Sequence, residues 1–167
     1  MHAPPARLRA ASYVTRSYGE QRQLLVFEYA AQPGLGTHLP GGGVDPHERP
    51  DHAAIREAIE ETGVTGRLRV LGTVGVQQGH YSNGNPWVSV YFHIETDEPR
   101  DRWTHTMLGD DDAWDTGHRV ECRFVAMDEA ETLLNGSGYL QDEYLRQLDV
   151  VRYATPSRRH GSTDGRS

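Results

Sequence analysis

The stretch from Gly42 to Val64 constrains this chain more than any other, because it joins a glycine-rich turn to a strongly patterned helix. Pro50 suits a first helical position, where the missing N–H would have no partner in any case. Gly63 suits the left-handed residue that ends many helices. The stretch therefore predicts a loop, a helix that begins at Pro50, and a stop at Gly63.

The two sides of this helix differ in chemistry. At 100° per residue, four apolar side chains fall on one side and are expected to pack on a core, whereas the glutamates fall on the other. Glu57 and Glu61 are one turn apart, so their like charges point the same way and repel. A solvated acidic surface is one interpretation, and a site for Mg²⁺, which favours one or two carboxylates plus substrate phosphates, is the other. The apolar set is Ala54, Ile55, Ala58 and Ile59.

The spacing of the whole stretch resembles the Nudix box. Gly42 is followed after five residues by Glu48, and after seven more by the run REAIEETGV at residues 56–64. Every signature position is filled, and looser similarity extends over most of residues 8–150. The resemblance implies an α/β/α sandwich with a central mixed β-sheet. It also implies metal-dependent cleavage of a diphosphate linked to another moiety, usually a nucleoside.

The resemblance also implies a role for each charged residue of the box. Glu57 and Glu61 would be the main side-chain ligands of Mg²⁺ or Mn²⁺, and the carbonyl of Gly41 would add a backbone oxygen. Glu60 would be a further ligand, bound directly or through water. Two other residues would brace the loop against the helix. That pair is Arg56 and Glu48.

The general base is left open between two glutamates. In the family it is a glutamate of the box in some members, here Glu60, and a glutamate outside the box in others. Glu121 is the outside candidate, because similar members carry an acidic residue at the start of this strand. The alternative for Glu121 is a surface strand residue paired with Arg119 or Arg123.

Three aromatic side chains, Tyr81, Trp87 and Tyr91, are candidates for stacking on the nucleoside end of a substrate, and each is equally compatible with ordinary strand packing. The expected substrate is a small nucleotide, most simply a nucleoside triphosphate or other nucleoside polyphosphate. Cleavage of a dinucleoside polyphosphate or a nucleotide sugar remains an alternative, as does a non-catalytic regulatory domain that binds nucleotide. Residues 110–112, three aspartates, are a weaker candidate for a second metal.

Composition narrows the function classes. A formal charge of −7 over 167 residues argues against a nucleic-acid-binding surface. All 17 basic residues are arginine, which excludes a lysine nucleophile or a phosphate-binding lysine. The single Cys122 favours a reducing compartment, and no apolar run indicates a signal peptide or membrane span. We therefore expect a cytoplasmic protein that does not bind membranes, with a homodimer left open.

The order of elements predicts a single domain of the α/β or α+β class. Residues 1–7 are expected to be flexible, residues 8–153 to form the domain, and residues 154–167 to be disordered. The acidic segment 96–115 is expected to be a surface loop. The strand at residues 87–95 alternates, which predicts a core side and a wetter side. The remaining predicted strands are 8–17, 23–30, 67–77 and 118–127, and the remaining helices are 128–135 and 139–151.

Overall fold

The computed structural model describes residues 4–109, 114–135 and 141–150. Within them a seven-stranded mixed sheet lies between helical layers, which confirms the predicted α/β/α sandwich. The strands are β1 (Arg7–Tyr18), β2 (Gln21–Tyr29), β3 (Gly41–Gly43), β4 (Leu68–His80), β5 (Pro86–Thr96), β6 (Arg102–Thr106) and β7 (Arg119–Ala126). The helices are α1 (Pro50–Thr62), α2 (Met127–Asn135) and α3 (Gln147–Val150), and Pro33–Leu35 forms a short 3₁₀ helix.

The sheet opens at its centre, and this opening positions the site. The strand order is β4-β5-β1-β2-β7-β6, with β1 and β5 parallel and every other pair antiparallel. One edge of β1 is shared by two partners: residues 15–18 pair with β2, and residues 9–11 pair with β3. The strands β2 and β3 therefore diverge from each other, and α1 crosses the sheet at the point where these two strands separate.

Each side of the sheet carries its own buried cluster. Small residues of α1, such as Ala54 and Ala58, pack closely on one side, because alanine lets the helix backbone approach the strands. Segments that follow β7 cover the other side. The first cluster includes Ala10, Val14, Leu25, Phe27, Tyr29, Ala53, Ile94, Val120, Cys122 and Phe124. The second includes Tyr13, Leu24, Val26, Tyr91, Val125, Ala130, Leu134, Tyr144, Leu145 and Leu148.

The second cluster corrects the expectation that β5 has a wetter side. The side chains of β5 alternate as predicted, but those on the far side from α1 are also buried. Ser89 and Tyr91 are 5% exposed, and the His93 ring lies 2.7 Å from the Thr15 hydroxyl. Polar residues occupy this layer because they hydrogen-bond inside it, so polarity alone did not indicate exposure.

The bounds of α1 are confirmed, but one of its predicted core residues is wrong. The helix begins at Pro50, and Gly63 has the left-handed φ of 61° that ends it. Ile59 is 42% exposed, whereas Glu61 is only 6% exposed. The helix is rotated about its axis relative to the prediction, because its glutamate side lies against β3 rather than in solvent.

The acidic segment 96–115 is not a continuous loop. Its residues 102–106 form β6, an edge strand paired with β7, and Trp103 packs against the core under α1. A strand of five polar-rich residues gives little periodic signal, which is why the prediction missed it. Residues 141–146 form turns rather than the predicted helix, and the aspartates at 110–112 and the tail at 154–167 lie outside the described residues.

No helix in the described part of the chain combines the length and apolar character needed to cross a membrane.

Glu98 ties the end of α1 to the sheet and provides a pH-dependent test of the fold. It is 1% exposed and accepts hydrogen bonds from the Thr65 N–H at 2.7 Å and from Arg100 Nε at 2.7 Å. The Arg100 guanidinium holds the pKa of Glu98 well below its ordinary value of 4.5. A carboxylate whose pKa is lower in the folded state stabilises the fold at pH values above its unfolded-state pKa. This stabilisation is lost as the pH falls towards the folded-state pKa.

We expect Glu98→Gln to lower the free energy of unfolding at pH 7 by about 2 kcal/mol, because charged hydrogen bonds of this kind contribute about 1.5–3 kcal/mol. The difference from wild type should shrink as pH falls below about 4.5. Urea denaturation at pH 7 and pH 3 measures it. Glu95→Gln is the matched control, since Glu95 pairs with Arg69 at an exposed position and should matter little. An equal Glu98→Gln deficit at both pH values would contradict this account.

Candidate metal and catalytic site

The strand β3 lies with one edge against β1 and the other against α1. At the second edge, the N–H of Gly41 donates to the Glu61 carboxylate at 2.8 Å, and the carbonyl of Gly43 accepts from Arg56 at 2.9 Å. The N–H and C=O of one strand residue point to the same edge. The Gly41 carbonyl therefore also faces α1, where the sequence predicted a backbone ligand.

Glu57 and Glu61 face this edge together. The Glu57 carboxylate occupies the space where a Cβ at position 42 would lie, so any larger residue there would displace this carboxylate. Burial raises the pKa of Glu61 well above its ordinary value, and the neighbouring charge of Glu57 adds to the rise. Burial also raises the pKa of Glu57, although Arg56 opposes that shift. One buried and one half-buried carboxylate that resist deprotonation are stabilised as anions by a divalent cation.

The donor set fits a hard cation. Glu57, Glu61 and the Gly41 carbonyl are all oxygen donors, and Mg²⁺ takes few protein ligands because it keeps waters and binds substrate phosphates. Across residues 4–109, 114–135 and 141–150, no three His, Cys, Asp or Glu side chains form a complete metal cage.

Arg56 connects the loop before α1 to the glutamates. Its guanidinium makes a two-pronged pair with Glu48, with both N···O distances at 2.9 Å, and also donates to Glu57 at 2.9 Å and to Glu60 at 3.1 Å. The two hydrogen bonds from Arg56 to Glu48 lower the pKa of Glu48 to about 2. The predicted Arg56–Glu48 contact is therefore present, and it fixes the loop that carries Gly43 against the helix.

Side chains around β6 fix the last turn of α1, and the sequence did not indicate them. They donate to carbonyls that a helix end leaves without intrahelical partners. These hydrogen bonds hold in place the turn that carries Glu60 and Glu61. The three contacts are Trp103 Nε1 to the Thr62 carbonyl at 2.6 Å, Arg100 to the Gly63 carbonyl at 2.9 Å, and His105 Nε2 to the Glu60 carbonyl at 2.9 Å.

Asp115 is a further carboxylate of the site that sequence reasoning missed. It lies close enough to Glu57 and Glu61 for its charge to raise the pKa of both. The ends of its loop are fixed, because the Leu108 N–H donates to the Glu60 carbonyl at 2.9 Å and the Gly117 N–H donates to the Met107 carbonyl at 2.9 Å. Its only sequence signal was an acidic segment that was interpreted as a solvated loop.

Two arginines of β1 border the opposite side of the carboxylates. The charge of Arg9 is near enough to lower the pKa of Glu61, and the Arg7 guanidinium lies beside Gly43. Neither was a predicted site residue, because both precede the glycine turn by more than thirty positions in sequence. They supply positive charge near the place where a phosphate chain would lie.

Glu121 lies on the other side of the sheet. Strand side chains alternate between faces, and its neighbour Cys122 faces α1, with Sγ 3.6 Å from the Thr62 carbonyl. Glu121 is therefore directed away from α1, where it pairs in register with Glu28, and Arg123 donates to Glu28 at 2.9 Å. This placement does not support Glu121 as the general base, because the sheet separates it from Glu57 and Glu61.

The three aromatic candidates do not gather at the site. Tyr91 is a core residue, 5% exposed, tilted against Tyr13 and Tyr144 with ring centroids 5.8 and 5.4 Å apart. Trp87 lies four positions earlier in β5 and so shares the side of the sheet that faces away from α1. Their position opposite α1 does not support stacking on a substrate at the α1 carboxylates, and the role of both residues stays a prediction. Tyr81 begins the turn between β4 and β5, and its stacking role stays a prediction.

Comparisons with known proteins agree with this geometry. A family model described as "NUDIX domain" matches residues 7–148. Diphosphoinositol polyphosphate phosphohydrolase 3-alpha of Mus musculus is 48% identical over 65 residues, which are 38% of this chain and 38% of that protein. The Homo sapiens protein of the same description is 46% identical over 65 residues, which are again 38% of this chain and 38% of that protein. The chain thus aligns with 38% of the length of these curated relatives.

Solved structures show the same fold. A C. elegans Ap4A hydrolase binary complex superposes with a TM-score of 0.63 at 19% identity, covering 87% of this chain and 96% of that one. A Nudix hydrolase from M. smegmatis, RenU, gives 0.60 at 23% identity over 86% and 84%. The NUDIX domain of Shewanella oneidensis NrtR, complexed with ADP ribose, gives 0.58 at 14% identity over 89% and 90%.

Proposed function

Because the chain belongs to the NUDIX family, we propose that it is a metal-dependent hydrolase that cleaves a phosphoanhydride bond of a nucleoside triphosphate or another nucleoside polyphosphate. The observation that carries the proposal is the pair Glu57 and Glu61, held together at the free edge of β3 beside the Gly41 carbonyl. The names of relatives and fold neighbours, which include phosphohydrolases and an Ap4A hydrolase, support the same reaction class.

Glu57, Glu61 and the Gly41 carbonyl would hold Mg²⁺ or Mn²⁺. When bound, such an ion neutralises the charge of the diphosphate and lowers the pKa of water. Arg56 keeps the two ligand-bearing segments together through Glu48 and Gly43, so the carboxylates stay aimed at one point. Arg9, on the other side, is placed to attract the phosphate chain.

For the proton of the attacking water we propose Asp115 as acceptor. A general base must reach the water directly or through one other water, and Asp115 is near both metal-ligand glutamates without being one of the pair. Glu60 is the alternative, but the Arg56 guanidinium already lies 3.1 Å from its carboxylate. That contact already engages the Oε2 atom of Glu60.

A second candidate substrate is a diphosphoinositol polyphosphate. It is favoured by the 48% identity over 65 residues to a diphosphoinositol polyphosphate phosphohydrolase. The bond cleaved would again be a phosphoanhydride, so the roles proposed for Glu57 and Glu61 would not change. A non-catalytic nucleotide-binding domain is a weaker alternative, since all the box glutamates are present.

The test is hydrolysis of a substrate panel by the purified chain, with and without metal. We expect turnover of at least one nucleoside polyphosphate in Mg²⁺ or Mn²⁺ and complete loss in excess EDTA, restored when metal is added back. The panel includes nucleoside triphosphates, dinucleoside polyphosphates, nucleotide sugars and a diphosphoinositol polyphosphate, with phosphate products identified. Full turnover in EDTA, or no turnover of any phosphoanhydride, would overturn the proposal.

A further inference from the structure

Four aromatic rings meet at the open end of the cleft between β2 and β3. We name Tyr29, His38, Trp114 and His118 the aromatic cluster. Tyr29 lies at its centre, at the end of β2, and contacts each of the other three rings. Ring centroids lie 5.4 Å apart for Tyr29–His38, 5.8 Å for Tyr29–Trp114, 5.7 Å for Tyr29–His118 and 5.6 Å for Trp114–His118.

The aromatic cluster borders the carboxylate site. Trp114 directly precedes Asp115, whose charge acts on Glu57 and Glu61, so adjacent residues face the cluster and the site. His38 precedes Gly41 by three residues, and Tyr29 belongs to the buried cluster under α1. A diphosphate held by the glutamates would therefore direct its attached group towards the aromatic cluster.

Two features of the aromatic cluster are unexplained by folding alone. The Trp114 side chain is 69% exposed, which presents a large flat apolar surface to solvent. His38 Nε2 is buried and has no hydrogen-bond partner among the described residues, and burial lowers the pKa of the ring, which keeps it neutral. A flat surface beside an unsatisfied ring nitrogen suits a planar ligand that carries polar edge groups.

We propose that the aromatic cluster binds the nucleobase of the substrate, which stacks on Trp114. This inference rests on the proposed function, since the diphosphate at Glu57 and Glu61 delivers the base to the cluster. It also chooses between the two substrate classes. The four side chains include no arginine, whereas a polyphosphorylated inositol ring needs cationic side chains around it. The cluster therefore favours a nucleoside substrate over a diphosphoinositol polyphosphate.

The test compares two uncleavable probes that share a methylene-bridged diphosphate. One is adenosine 5′-(α,β-methylene)diphosphate, and the other is methylenediphosphonate, which has no nucleoside. Dissociation constants are measured by calorimetry in Mg²⁺ for wild type, Trp114→Ala, Trp114→Phe and Tyr18→Ala. Tyr18 is the matched control, because it is 61% exposed and lies at the far end of β1.

We expect Trp114→Ala to weaken binding of the nucleoside probe by about 10-fold or more, since loss of a stacking ring typically costs a base this much. Methylenediphosphonate should bind within about twofold of wild type, Trp114→Phe should recover most of the affinity, and Tyr18→Ala should change neither probe. Equal loss for both probes would mean that Trp114 only supports the fold and would overturn the inference, as would no loss for either.

A different set of results would overturn the proposed function itself. If wild type binds neither probe in Mg²⁺ and hydrolyses no phosphoanhydride, the proposed function fails, and the nucleobase assignment fails with it. If wild type binds both probes equally and hydrolyses a diphosphoinositol polyphosphate but no nucleotide, the proposed reaction class stands and the nucleobase assignment is overturned.

Discussion

Glu61→Gln is expected to lower kcat/KM by about 10³-fold, because a bound metal supplies several kcal/mol of transition-state stabilisation and this substitution removes one of its two carboxylate ligands. The amide keeps the size of the side chain, and its oxygen can still accept from the Gly41 N–H. The loss should therefore appear in metal binding and turnover rather than in folding. Steady-state kinetics across a range of Mg²⁺ concentrations measures it.

The stability of the same variant separates a lost ligand from a damaged fold. In metal-free buffer, Glu61→Gln should unfold at the same temperature as wild type or higher, because a neutral amide replaces a carboxylate whose burial is unfavourable. Mg²⁺ should raise the melting temperature of wild type and not that of the variant, since a ligand stabilises only the state that binds it. Glu129→Gln, on the exposed surface of α2, is the control and should behave as wild type. Near-normal turnover by Glu61→Gln would show that Glu61 is not a ligand.

Asp115→Asn is expected to lower the single-turnover rate by about 10²–10⁴-fold, the usual contribution of a general base. Affinity for Mn²⁺ should change little, because Glu57 and Glu61 remain. The loss should shrink at high pH, where hydroxide replaces the missing base. The measurement is single-turnover hydrolysis at saturating Mg²⁺ over a series of pH values.

Glu121→Gln is the matched control for this assignment, since the sequence offered Glu121 as a candidate base and its side chain is directed away from α1. We expect less than a tenfold change for it, below the range of a general base. A large, pH-dependent loss in Glu121→Gln together with a small one in Asp115→Asn would reverse the assignment. A small loss in both would transfer the role to Glu60.

Local chemistry made the box predictable. The bounds of α1 follow from Pro50 and Gly63, which act within one helical turn of themselves. The contact of Arg56 with Glu48, which the resemblance to the Nudix box implied, is present in the structure. Ile59 was misplaced because helical periodicity gives the angle between residues but not the orientation of the helix on the sheet. That orientation depends on where β3 lies, and β3 is only three glycines long.

The parts of the site that the sequence did not predict depend on contacts between distant segments. Asp115 meets Glu57 only because β6 and β7 return the chain to α1, and β6 itself was not predicted. The side of the sheet that Trp87 and Tyr91 face depends on the parallel pairing of β1 with β5. Single-sequence patterns carry no information on such pairings.

Anomalous scattering from crystals grown with Mn²⁺ tests the central claim most directly. The account predicts one strong peak at the free edge of β3, about 2.1 Å from carboxylate oxygens of Glu57 and Glu61 and from the Gly41 carbonyl oxygen. The peak should disappear in Glu61→Gln crystals grown under the same conditions. A peak elsewhere, or none at this edge in the wild-type protein at millimolar Mn²⁺, would contradict the account.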